Sequence, residues 1–326
     1  MYILKHYPVD FIVKELTQLP LKSSGQYSYW KLSKRELNTP DAVKTLAGSL
    51  NISEKQLGYA GNKDKQAITE QFISIHKISR KRIENLNFSK MQLLFMGYGD
   101  EHINLGRLNG NFFEITLRNL ENSELDKLVK KSGTNINFVN YFGEQRFGTN
   151  NVTIGKNIIK KNFKEAFELL ISGQYPKELT EFVTKENPNK GDYIKALQCL
   201  PKRLLRLYIA AYQSYLWNLA VQKMNKPPPA EIPLVGFGTE YPDTRTESVY
   251  EELLENEAIS ERDFIIKQLP LMSVEGDTRK TMVECSDFVV TKHEPDNVYE
   301  GKEQATIRFS LPKGSYATVF IEQLFA

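Results

Sequence analysis

Gly58-Tyr59-Ala60-Gly61-Asn62-Lys63-Asp64-Lys65-Gln66-Ala67-Ile68-Thr69-Glu70-Gln71 sets a short hydrophilic loop between two apolar runs. Residues 57–60 and 67–75 read as strands, and Gly61-Asn62-Lys63-Asp64 reads as the loop that joins them. Asp64 follows a glycine turn and stands between Lys63 and Lys65. A lysine beside a carboxylate favours its ionised form, which nucleophilic and general-base chemistry both need. The plainer alternative is a hydrophilic turn whose aspartate accepts backbone N–H groups. Asn62-Lys63-Asp64 lacks the intervening residue of the guanine-reading N-K-x-D motif, and no G-x-x-x-x-G-K-[ST] loop occurs in the chain, so a GTPase is excluded.

Working outward, residues 10–16 form a strand pattern with Phe11 and Val13 on one face and Ile12 on the other. Thr39-Pro40-Asp41 marks a helix start, with Thr39 as cap and Pro40 at the first helical position; Val43, Leu46, Ala47 and Leu50 then recur at helical spacing. Further strands are expected over 92–97, 112–118 and 137–142. From about 163 to 224 the pattern is helical. Leu204, Tyr208, Ala211, Tyr215 and Leu219 line one face of the longest helix, which Pro201 opens and Lys226-Pro227-Pro228-Pro229 stops. Residues 247–259 are helical again. After Met282 strand alternation returns, and 304–311 with 316–322 read as a closing hairpin around Pro312-Lys313-Gly314. A β-rich start, a helical middle and a β ending predict one domain interrupted by an insertion.

The 326 residues exceed the usual single core of roughly 100–200, so about two domains are expected. Hydrophobic residues at 40% and charged residues at 25% exclude wholesale disorder. Cys199, Cys285 and four scattered histidines offer neither a disulfide framework nor metal-ligand spacing, which leaves reduced thiols in a cytoplasmic protein. Lys5, Asp10, Lys14 and Glu15 interrupt any leader-like apolar block, and the charge-free run 207–222 is too short and too polar to span a membrane. The net charge of +3 is too small for a protein that coats nucleic acid. Two clusters, Lys77/Arg80/Lys81/Arg82 and Lys156/Lys160/Lys161/Lys164, would track phosphates if the partner is RNA. No heptad pattern calls for an obligate protein partner.

Two further stretches carry chemistry. Asn140-Tyr141-Phe142-Gly143-Glu144-Gln145-Arg146-Phe147-Gly148 combines an amide, aromatics and an arginine between glycines, a set able to stack on a base and bond its edge. Leu311-Pro312-Lys313-Gly314-Ser315-Tyr316-Ala317-Thr318 is a turn that presents an aromatic.

Together these segments resemble the TruD family of tRNA pseudouridine synthases. The resemblance is carried by Gly61-x-Lys63-Asp64-x-x-Ala67-x-Thr69-x-Gln71 and by Asn140-Tyr141-Phe142-Gly143-x-Gln145-Arg146-Phe147-Gly148. Lys5-x-x-Pro8-x-Asp10-Phe11-x-Val13-x-Glu15, Gly106-Arg107-Leu108-Asn109-Gly110-Asn111-x-Phe113 and Leu311-Pro312-x-Gly314-Ser315-Tyr316-Ala317-Thr318 extend it across the chain.

What the resemblance implies is an α+β fold: a mixed, largely antiparallel synthase domain over 1–160 plus 295–326, interrupted by a mostly helical α/β insertion over 161–294. It implies isomerisation of a uridine in tRNA, expected at position 13 in the D-arm region, with no metal and no organic cofactor. Asp64 matches the family's catalytic aspartate, and Phe11 and Asn140 match positions that contact the substrate nucleotide. Tyr316 matches a third such position, commonly phenylalanine; its hydroxyl needs a partner if buried. Lys63 and Arg146 are expected to orient Asp64 or to bind phosphate, and Lys5 with Glu15 to form a supporting pair. Two other readings stand beside this one: a non-catalytic RNA-binding or tRNA-folding protein on the same scaffold, and a nucleosidase or glycosidase pairing Asp64 with Glu70.

Overall fold

Side chains along Phe11–Leu16 (β1) alternate between buried and exposed, with Phe11, Val13 and Glu15 inward. This strand belongs to a nine-stranded sheet in a computed structural model that describes residues 1–172, 192–224 and 228–326. The expected helix stop at Lys226-Pro227 and residues 173–191 of the expected insertion lie outside the described residues. The strands are β1, Tyr27–Arg35 (β2), Leu57–Tyr59 (β3), Ile68–His76 (β4), Met91–Gly99 (β5), Gly110–Leu120 (β6) and Thr134–Val139 (β7), then Glu231–Leu234 (β8), Asp277–Lys280 (β9), Met282–Pro295 (β10) and Glu303–Pro312 (β11). The large sheet runs β5-β2-β4-β1-β6-β11-β10-β7, with β3 on β4; β8 and β9 pair separately. β1 lies parallel to β4 and antiparallel to β6, and β2–β4, β2–β5, β3–β4, β6–β11 and β10–β11 are antiparallel. The α+β reading therefore holds, with a mixed and mostly antiparallel sheet.

By contacts the chain divides into Met1–Phe138 with Glu284–Ala326, and Val139–Val283. Both crossings fall earlier in the chain than the 160/161 and 294/295 edges that the resemblance implies. Helices Glu144–Phe147 and Asn151–Ile159 pack on the long helix Lys202–Lys223 and so belong with it. Gly155 makes that packing possible: a Cβ there would lie 2.1 Å from the Tyr208 carbonyl oxygen. Of the predicted face of the long helix, Tyr208 and Ala211 are buried while Leu204, Tyr215 and Leu219 are half-buried; the buried stripe also takes in Leu205, Ile209, Tyr212, Leu216 and Ala220, one position on. Among the described residues, no helix is long and apolar enough to cross a membrane.

In the first unit, helix Thr39–Leu50 (α1) buries Val43, Leu46, Ala47 and Leu50 against Trp30 and Leu32 of β2 and Ile73 and Ile75 of β4. Its cap is Asn38, whose side chain accepts from the Asp41 N–H at 2.8 Å; Thr39 is not the cap. The last segment also departs from expectation. Residues 316–322 are not the return strand of a hairpin: Ala317–Phe325 is a helix. Val319, Phe320 and Ile321 have strand propensity, yet burial of Ala317, Phe320, Ile321 and Leu324 at helical spacing prevails. Phe320 meets the rings of Phe138, Phe288 and Phe309, while β11 finds its partners in β6 and β10.

Arg118 of β6, 6% exposed, ties three parts of this unit together. It donates to both carboxylate oxygens of Asp10, just before β1, and to Asp296, Asn297 and Gln304 of the β10–β11 region. Removing the guanidinium leaves two buried carboxylates without their cation. Arg118→Met is therefore expected to cost about 3 kcal/mol of stability, seen as a lower denaturation midpoint; an unchanged midpoint would count against this account.

Candidate active site

One edge of β4 is covered along its length by β2. The other edge is divided: β1 occupies Ile68–Glu70 in parallel register, and β3 occupies Ile73–Ile75 antiparallel. The chain leaving β3 at Tyr59 therefore cannot run on as a hairpin, because β1 already holds the continuing edge. It rises off the sheet as a loop over residues 60–67, and its main-chain groups need partners that no strand supplies.

Buried side chains supply them. Gln71 Nε2 donates to the Gly61 carbonyl at 3.2 Å, and Gln71 Oε1 accepts from Thr39 Oγ1 at 2.8 Å. Thr39 Oγ1 in turn accepts from the Lys63 N–H at 2.9 Å. Lys34, on the same face of β2 as Trp30 and Leu32, donates its ammonium to the carbonyls of Leu37, Lys63 and Asp64 at 2.6, 3.3 and 3.2 Å. Gln71, Thr39 and Lys34 are 0%, 0% and 2% exposed, so this is an internal clamp on the loop. Burial pushes the Lys34 ammonium down to about 8, Lys63 adds to the effect and Asp64 opposes it.

Asp64 stands on this fixed main chain with its side chain 42% exposed. Lys5 reaches its Oδ2 at 2.6 Å, and the same ammonium lies 4.4 Å from the centre of the Phe11 ring. Glu15, fully buried, faces Lys63 at 3.7 Å, and Lys63 also donates to Asn111 Oδ1. The expected Lys5–Glu15 pair is thus replaced by two others, Lys5–Asp64 and Lys63–Glu15. The reason is alternation along β1, which turns Glu15 inward beside Val13 and Phe11. Burial raises the Glu15 carboxyl and lowers the Lys63 ammonium, each opposed by the attraction of the other. Lys63 is spent inside the protein. Glu70 points away from Gln71 on the opposite face of β4 and pairs with Lys31 at 3.6 Å, so it is not the second carboxylate of a hydrolase site.

Two more of the singled-out stretches converge here. The Gly106 N–H donates to the Ala60 carbonyl at 2.7 Å, and the Asn109 N–H to that of Leu16 at 2.9 Å. Asn111 pairs across the sheet with Glu15 on one side and Leu311 on the other. Gly110 lies against the end of β11, where a Cβ would sit 2.3 Å from the Leu311 carbonyl oxygen. The turn that follows carries half-buried Tyr316 to the start of the last helix.

Asn140 and Arg146 belong to the second unit and form their own cluster. Asn140, 4% exposed, donates its N–H to the Thr281 carbonyl at 2.8 Å and accepts Arg279 at both its carbonyl and its Oδ1. Arg279 lies 3.9 Å from the centre of the Phe142 ring, which packs edge-on against Trp217. Phe142 exchanges two hydrogen bonds with Asn218, and Arg146 Nε donates to Ser214 Oγ at 3.2 Å. Residues 140–142, expected at the end of a strand, are instead a loop after β7 held by these contacts.

The basic clusters are largely occupied. Lys156 and Lys160 both reach Glu257, Lys161 pairs with Asp263 and Lys164 with Glu168. Arg80 pairs with Glu84 and lies over Phe95, and Arg82 donates to the Leu50 carbonyl. Sequence reasoning missed Lys34, the role of Thr39 in the clamp, and Arg279. A signal existed for Lys34: it continues the inward positions Ser28, Trp30 and Leu32, where a cation is out of place, but strand β2 itself went unread. Arg279 has no local signal.

The chain matches the family model for tRNA pseudouridine synthase D (TruD) over residues 2–186, 177–228 and 226–324. It is similar to tRNA pseudouridine synthase D of Aquifex aeolicus, 28% identical over 99% of this chain and 97% of that one. It is also similar to a protein of Methanosarcina mazei named as a probable tRNA pseudouridine synthase D, 30% identical over 96% and 91%. Among solved structures it resembles a TruD protein of Methanosarcina mazei, with a TM-score of 0.68 and 27% identity over 99% of this chain and 93% of that one.

The clamp is testable by stability. Thr39→Val leaves both Gln71 Oε1 and the Lys63 N–H without their partner and is expected to cost about 1–3 kcal/mol. Urea denaturation measures this, and a midpoint equal to wild type would remove the hydroxyl from the clamp.

Proposed function

Because the chain belongs to the tRNA pseudouridine synthase D family, an isomerase family, we propose that it converts a uridine of tRNA into pseudouridine, with Asp64 as the catalytic carboxylate. The target we propose is uridine 13 in the D-arm region, and the reaction uses neither a metal nor an organic cofactor. The observation that carries the reading is the contrast between two carboxylates. Glu15 is sealed inside and held to Lys63, whereas Asp64 stands 42% exposed on a clamped loop with its charge matched by Lys5.

The chemistry requires cleavage of the N1–C1′ bond, rotation of the detached uracil and formation of a C5–C1′ bond, with the C5 hydrogen leaving as a proton. A carboxylate reaching the ribose serves in one of two ways. It attacks C1′ and is later displaced, or it removes the 2′ proton to give a glycal and returns it afterwards. Either path regenerates Asp64. The target nucleotide has to leave its stack to reach such a group. Phe11, Asn140 and Tyr316 are proposed to contact it, stacking being worth about 1–3 kcal/mol per base. Lys63 is proposed to act behind Asp64, since its ammonium faces Glu15 and Asn111. Arg146 is proposed to bind phosphate through the guanidinium nitrogens beyond the Nε that Ser214 accepts. The site of action proposed is the cytoplasm, where tRNA and reduced Cys199 and Cys285 are compatible.

Turnover is read from tRNA tritiated at C5 of uridine, because forming the new glycosidic bond expels that hydrogen. Wild type is expected to release tritium; Asp64→Asn is expected to release none while binding tRNA within a few-fold of wild type. Turnover by that variant at the wild-type rate would remove Asp64 from the mechanism. Absence of release from a tRNA pool that wild type binds would favour an RNA-binding protein without catalysis. Affinity is also expected to fall as salt rises, since cationic side chains displace counterions from phosphates; a salt-independent affinity would contradict a footprint dominated by phosphate contacts.

A further inference from the structure

We propose that Lys34 is a positioning residue for the reaction: its buried ammonium fixes the main chain of Lys63 and Asp64, and thereby the direction in which the Asp64 carboxylate is presented. The proposal rests on the reading of Asp64 as the catalytic group.

Lys34 occupies a position where the fold asks for an apolar side chain. Ser28, Trp30 and Leu32 precede it on the inward face of β2, and its cross-strand partners are Thr69 on β4 and Met91 on β5. Its ammonium forms no ion pair among the described residues, and an unpaired buried charge is costly. What it does have is three carbonyl oxygens. An ammonium has three N–H donors, and here they go to Leu37, at the approach to α1, and to the two consecutive loop residues Lys63 and Asp64. The Leu37 bond anchors Lys34 to the α1 side of the sheet. The other two hold the peptide groups on either side of the Asp64 Cα, so the Cα–Cβ direction of Asp64 is set. Helix α1 has no need of the lysine, because Asn38 caps it.

The geometry makes the clamp dependent on protonation. A neutral amine keeps two N–H groups and loses the charge that attracts the carbonyl dipoles. Burial pushes this ammonium down to about 8, so it is charged at neutral pH and neutral above that value. The charged groups acting on it come from the loop: Asp64, which favours the ammonium, and Lys63, which opposes it. Thr69 and Met91 are neutral, Glu70 lies on the other face of β4 with Lys31, and on the connection to α1 Arg35 pairs with Glu36 while Asp41 is exposed beside Asn38. The expected consequence is a fall in turnover number as pH rises through about 8. The KM for tRNA stays nearly constant, because Lys34 is too deep to touch RNA.

The test measures kcat and KM by C5 tritium release, from neutral to alkaline pH, for wild type, Lys34→Met, Lys34→Arg and Asp64→Asn, with thermal melting to confirm folding. Lys34→Met is expected to lower kcat about 100-fold, with KM within about three-fold, and to lose the decline near pH 8. Lys34→Arg keeps its charge throughout this range, so it is expected to restore kcat to within about ten-fold of wild type and to move the decline to higher pH. A wild-type kcat in Lys34→Met, or a decline still near pH 8 in that variant, would overturn the proposal. Should Lys34→Met not fold, the Lys34→Arg profile decides, and a decline unchanged from wild type overturns the proposal there. Asp64→Asn separates the two readings. Turnover in that variant sinks the catalytic assignment itself, whereas a dead Asp64→Asn beside an unaffected Lys34→Met sinks only the role of Lys34.

Discussion

The divided edge of β4 is the constraint on which the site depends. A strand edge offers one row of main-chain donors and acceptors, and here β1 takes Ile68–Glu70 while β3 takes Ile73–Ile75. The connection from Tyr59 to Ile68 is thereby expelled from the sheet. Expelled backbone still has to bond its carbonyls, and side chains beneath the loop meet that need. Gln71 takes Gly61, Thr39 takes the Lys63 N–H, and Lys34 takes the carbonyls of Lys63 and Asp64. Rigidity of the loop thus follows from strand topology, with buried polar side chains doing what a ladder would otherwise do.

Burial then sorts the charges. Lys5, Lys34 and Lys63 gather with Asp64 and Glu15, but they lie at different depths. The Glu15 side chain is 0% exposed, Lys63 8%, Lys5 16% and Asp64 42%. The deepest carboxylate is consumed by the deepest cation of the two pairs, in an interaction whose desolvation largely cancels its attraction. The outer carboxylate keeps a cation in contact and yet stays open to solvent. Two carboxylates of similar intrinsic chemistry acquire different roles through burial alone. Phe11 contributes to the same arrangement, because its ring packs against Phe113 and carries the Lys5 ammonium above it.

In the second unit the same logic operates with a cation in place of a loop clamp. Arg279 fills the space between the Asn140 main chain, the Asn140 side chain and the Phe142 ring. The chain following β7 is a loop whose Asn140 carbonyl takes a donor and whose Phe142 ring takes a partner. The guanidinium, with its planar fork of donors and its affinity for aromatic faces, satisfies both needs at once.

Local pattern was enough for the loop between β3 and β4, the inward Phe11 and Val13, the buried face of α1 and the mixed α and β composition. Each is set by short-range periodicity or by turn chemistry. The motif residues Gly61, Lys63, Asp64 and Gln71 were likewise visible as a group, because they sit within eleven consecutive positions. Other features needed long-range packing. Ala317–Phe325 is a helix, against its β-branched and aromatic run, because Phe320 fills a gap between Phe138, Phe288 and Phe309. Thr39 leaves the cap to Asn38 because Gln71, thirty-two positions away in sequence, needs its hydroxyl. Lys5 pairs with Asp64 across fifty-nine positions, and Lys34 meets Asp64 across thirty. The sequence by itself determined that Lys63 and Asp64 stand in a loop between two strands and that Phe11 and Val13 face inward. Only the tertiary structure decided which lysine meets which carboxylate, since that choice depends on strand order and depth of burial, and neither leaves a trace in neighbouring residues.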